Sequence, residues 1–183
     1  MLLSLIVDFL FLLGGLGGLI LGLRRGFLRT ILSTIALLLA MAFAALAATP
    51  LVSIFVRESG SRGDTPIGIV FSALVLGIYF LLERLLRSTF PDTRIPALGS
   101  LDNVLGFVVA VGWTLLVLAL IALLLGFVNG AVTGSPAAGF IGSWYTTSFL
   151  VPFLQDLILI PINLMRFLFP GGLPQPLAFF AGS

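Results

Sequence analysis

The chain has no cysteine, no histidine and no lysine, and its charge is confined to nine arginines and seven acids among 183 residues. Without cysteine or histidine it can form no disulfide, no soft Cys/His metal site and no histidine general base. Without lysine it lacks the residue that a phosphate-binding glycine loop requires, and its glycines lie inside an apolar helix, so no nucleotide or other cofactor is implied. Charged residues make up 9% of the chain and hydrophobic ones 60%, with a mean hydropathy of +1.25. Soluble domains do not have that composition, which is that of an integral membrane protein. The arginines flank apolar runs instead of forming a stripe, which excludes nucleic acid as a partner and leaves the lipid bilayer.

What is present begins with two apolar runs joined by the basic turn Leu23-Arg24-Arg25-Gly26-Phe27-Leu28-Arg29. Residues 2–23 contain one ionisable side chain, Asp8. At 1.5 Å per residue they are long enough to cross a hydrocarbon core of about 30 Å. Residues 27–56 form a second span, with a kink expected at Pro50 because proline cannot donate to the preceding turn. Short arginine-rich loops stay on the cytoplasmic side, so the amino terminus is expected outside. The arginines follow the first apolar run instead of preceding it, which reads as a retained helix and not a cleaved signal peptide.

Gly14, Gly18, Gly22 and Gly26 recur every four residues, and Ala36, Ala40, Ala44 and Ala48 repeat that spacing in the second run. Small residues let helix backbones approach closely in lipid, so the two stripes predict an antiparallel hairpin with surplus small-residue surface for self-association. Asp8 borders the glycine face about 9 Å into the helix, where an ionised carboxylate needs a partner or water. Two readings stand: an ion or proton site, or a packing carboxylate held by a hydroxyl or by the outer interface.

A polar loop over residues 57–65 leads to a third span at about 66–87, ending in Glu83, Arg84 and Arg87, with Glu83 and Arg87 spaced to pair. A proline-containing connector follows. The fourth span, about 101–128, opens with Asp102 in its first turn, and Asp102, Gly106, Ala110 and Thr114 share one face. Trp144-Tyr145 reads as an interfacial anchor. Residues 149–169 could span but hold Pro152, Pro161, Gln155, Asp156, Asn163 and Arg166. Those last four cover an arc of about 100° on a helix, which predicts an amphipathic helix at the outer interface, with a re-entrant helix as its rival. Residues 170–183 form a Pro/Gly-rich tail, expected to be loose, after a single transmembrane domain over 1–169.

Asp8, the glycine-containing first helix, Arg25-Gly26-Phe27 with Arg29, and Leu101-Asp102 with Leu105-Gly106 occur in the order and spacing of a known family. The chain resembles the colicin V production proteins over residues 1 to about 128, and more loosely to about 165. Trp113 stands where that family often has a basic residue, so a role for that basic group does not carry over. The resemblance implies a bacterial inner-membrane factor for colicin V production or export, with links to envelope homeostasis and no catalytic residues. Some relatives append an external protease domain after the four helices, which agrees with a carboxyl terminus outside.

The expectation is therefore an all-α protein of four spans plus a carboxyl-terminal helix, with both termini outside. Its partners would be further copies of itself or other envelope membrane proteins. The function expected is non-enzymatic assembly or export. The alternative is a small oligomeric channel or transporter with Asp8, Asp102 or the Asp156 face along its path. An aspartyl hydrolase is disfavoured because Asp8 falls in the outer half of the membrane and Asp102 at the inner end, well over about 10 Å apart.

Overall fold

The computed structural model describes residues 2–59, 65–90, 100–131, 148–174 and 177. Among these residues it contains five helices: α1 (Leu2–Arg25), α2 (Phe27–Ser59), α3 (Thr65–Thr89), α4 (Ser100–Ala131) and α5 (Leu150–Met165), the last continued by a 3-10 turn, Arg166–Leu168. All five are long and apolar enough to cross a membrane. Trp144-Tyr145 and most of the loop and connector lie outside the described residues.

One residue separates α1 from α2. Gly26 has φ +82°, a left-handed conformation that side chains rarely tolerate, and it turns the chain while Thr30 still donates its N–H to the Gly26 carbonyl. The two helices meet at this corner and diverge. The expected face-to-face hairpin does not form: α1 packs along α4, while α2 packs against α3 and α4. The reason is complementarity of small residues. Gly14, Gly18 and Gly22 lie opposite Leu118, Thr114 and Ala110 in antiparallel order. Gly18 and Gly22 are thereby buried within one chain, while Gly14 and Gly17 stay exposed.

The alanine stripe of α2 is buried at the centre of the bundle. Ala40, Ala44 and Ala48 pack in one cluster with Phe71 and Val75 of α3, Ala119 and Leu123 of α4, and Leu154 and Ile158 of α5. In lipid, such contact and not hydrophobic burial holds helices together. Pro50 does not end α2, which continues to Ser59, with the Ser53 hydroxyl donating to the Pro50 carbonyl at 2.7 Å.

The carboxyl-terminal helix departs from expectation. An interfacial helix would lie across the outer end of the bundle, whereas α5 starts beside Asp8 and runs down α4. Leu157, Ile160, Pro161 and Leu164 share a groove of about 440 Å³ with Thr34 and Leu38 of α2 and with Val108–Leu116 of α4. Val151, Leu154, Ile158, Ile162 and Met165 form its buried face. From Leu150 to Arg166 the helix advances about 24 Å, close to the 25 Å or so between Asp8 and Arg25 on α1. Arg166 therefore stands at the arginine end of the bundle, not at the outer end where the sequence reading put it. The tail is also held in part, since Leu177 is 1% exposed and packs on the core.

Candidate functional site

The polar residues collect at the two ends of the bundle. At the arginine end, Asp102 is 3% exposed and its Oδ1 accepts a hydrogen bond from the Phe27 N–H at 3.1 Å. The first N–H groups of a helix have no partner within it, so a carboxylate placed there completes α2 and meets the positive end of its dipole. The sequence suggested this role for Asp102 at the start of its own helix, α4. The structure gives it to α2, 75 positions away. Gly106, one turn along, brings α4 onto the corner itself: a Cβ there would lie 2.7 Å from the Gly26 carbonyl carbon and 3.0 Å from Phe27 N. A Cβ on Gly26 would run into the Asp102 carboxylate, so this glycine is required by space as well as by φ. The Thr30 hydroxyl donates to the Gly26 carbonyl at 2.7 Å and closes the corner.

Beside the corner, Arg29 and Glu83 form a buried ion pair at 3.0 Å, 8% and 7% exposed respectively. The Ser33 hydroxyl donates to the second Glu83 oxygen at 2.8 Å, and Arg87 reaches the first at 3.4 Å. The i,i+4 pair legible in the sequence is the weaker, exposed half of this cluster. The tertiary half, Arg29 and Ser33 on α2, has no local signal. The Arg25 guanidinium lies 5.5 Å from the centre of the Trp113 ring, within cation–π range, and the Tyr79 hydroxyl lies beside both.

At the opposite end Asp8 does for α5 what Asp102 does for α2. Its carboxylate accepts from the Ser148 hydroxyl at 2.5 Å and from the Phe149 and Leu150 N–H groups, each at 3.3 Å. Ser148 in turn accepts from the Val151 N–H at 3.2 Å. Nothing in the sequence singled out Ser148, which lies 140 positions from its partner. Asp8 and Asp102 are separated by most of the length of α1, about 25 Å. They cannot share a proton or a substrate. Asp156 belongs to neither cluster and lies exposed on α5.

The match to the colicin V production protein family runs over residues 7–159, a range that contains both Asp8 and Asp102. The chain belongs to the colicin V production protein family. No curated protein and no solved structure matches it. It is thus a multi-pass membrane protein of the colicin V production family, and the matched region takes in α1 to α4 and more than half of α5. Within this family member the short motifs form one contact: Arg25-Gly26-Phe27 makes the corner, and Asp102 with Gly106 packs against it. Trp113 provides the surface on which Arg25 rests.

Proposed function

We propose that this protein is a non-enzymatic factor of the bacterial inner membrane that supports toxin production or export and envelope homeostasis by binding other membrane proteins. The observation that carries this reading is the use made of Asp8 and Asp102. Each is spent on holding the amino-terminal end of another helix, which suits a rigid scaffold better than a conduction path. In this reading the arginine-rich end lies at the cytoplasmic face and the amino terminus outside, because arginine-rich turns are retained on the inner side. The expected external carboxyl terminus falls on residues 178–183, outside the described residues.

Solute and ion flux through liposomes holding the purified protein tests the reading against a channel, with Asp8→Asn and Asp102→Asn alongside. A scaffold gives flux no greater than empty liposomes. Flux abolished by either substitution in a folded protein would make that carboxylate part of a conduction path. The export role is tested in a colicin V producer lacking its own family member, where expression of this chain is expected to restore toxin release.

A further inference from the structure

The ionisable groups of α1 to α4 that lie within the bundle are satisfied inside one chain, by Ser148 and helix ends, by Phe27, by Arg29 with Glu83, and by Trp113. One strip of α5 is not. Asp156, Asn163 and Arg166 are exposed, and neither Asp156 nor Asn163 has a side-chain partner among the described residues. Pro152, Asp156, Leu159, Asn163 and Arg166 follow one another at steps of four and three residues, the spacing of a seam between two helices crossing at a shallow angle. The neighbouring strip, Phe153, Ile160 and Leu164, is exposed and wholly apolar, which suits lipid.

Depth makes the polar strip informative. The apolar stretch runs over Leu150–Leu168, so Asp156 lies about 5 Å and Asn163 about 6 Å from its middle. Hydrocarbon offers no partner to a carboxylate or an amide at that depth. We propose that this strip of α5 is the interface with a second copy of the same chain, related by a two-fold axis along the membrane normal. The chemistry is self-complementary. An amide both donates and accepts, so Asn163 pairs with its own copy across such an axis, as polar side chains do between membrane helices. Asp156, two turns nearer the Asp8 end, lies on the same seam and is removed from hydrocarbon with it. Arg166, at the arginine end, reaches headgroups and water.

The proposal rests on α5 lying within the membrane and not on the export reading, so the flux result does not bear on it. The test uses the absence of native cysteine. Single-cysteine variants Asp156→Cys, Leu159→Cys and Asn163→Cys are oxidised in native membranes beside Phe153→Cys, Ile160→Cys and Leu164→Cys. Disulfide-linked dimers are expected from the first set, several-fold above the second. Asn163→Leu, in the Leu159→Cys background, is expected to lower dimer affinity about threefold to tenfold while the monomer elutes as a single folded species. No cross-linking from either set, or equal cross-linking from both, overturns the proposal. So does labelling of the Asn163→Cys variant by a membrane-impermeant maleimide without cross-linking, which would mean that the strip faces water. Labelling of the Phe153→Cys and Ile160→Cys variants by that reagent overturns it as well, by placing α5 at the interface and removing the premise.

Discussion

The backbone N–H of Phe27 donates to the carboxylate of Asp102 at 3.1 Å, so the second membrane helix is capped by the fourth. The same device joins the first helix to the fifth, through Asp8 and Ser148. In both cases a residue that could be mistaken for an ion site completes the open end of another helix, and the bundle is tied at its two surfaces.

Removing the cap tests this directly. Asp102→Ala is expected to lower stability by about 1–2 kcal/mol, and Asp102→Asn, which keeps an acceptor, by well under half of that. Thermal unfolding in mild detergent reads the difference. Equal melting of the alanine variant and the parent would remove the capping role.

The α1–α4 contact predicts a contrast between glycines. A Cβ on Gly22 would collide with the Ala110 methyl, whereas one on Gly17 meets nothing within 4 Å. Gly22→Leu is expected to cost at least about 3 kcal/mol, because neither backbone can retreat without losing the rest of the stripe. Gly17→Leu is expected to be tolerated. Limited proteolysis of the two variants in membranes compares them, and similar digestion rates would place the helix contact elsewhere.

Glu83→Gln leaves Arg29 buried without its counter-charge. The expected loss is about 3 kcal/mol, the lower end for breaking a buried pair, since the amide can still accept one hydrogen bond. A second substitution, Arg29→Met, should return most of that loss by removing the stranded charge. Melting temperatures of the two single variants and the double variant form the cycle that measures the coupling. Additive losses would mean that the pair is not coupled.

The course of α5 predicts which surface reaches its far end. Phe167 is 91% exposed and lies one residue beyond Arg166. Phe167→Cys is expected to react with an impermeant thiol reagent in inverted vesicles and not in intact cells stripped of their outer membrane. Labelling from the outside would return α5 to the outer surface.

Membrane class, the positions of the first four helices and family membership were all legible along the chain. These properties follow from local and additive quantities: apolar length against bilayer thickness, arginines against apolar runs, and motif spacing. The positions of Gly26 and Asp102 were legible for the same reason. What those residues touch emerged only from the packed bundle. Two small-residue stripes in adjacent helices predicted a hairpin, yet the glycines of α1 met α4, because a stripe at four-residue spacing fits any other of the same period and the single-residue corner at Gly26 sends α1 and α2 apart. Likewise the polar arc of α5 suited an outer interface equally well until Asp8 fixed the start of that helix and α4 fixed its course. A helical sequence states which face is polar or small, while its partner depends on axes and contacts set by residues about 50 to 140 positions away.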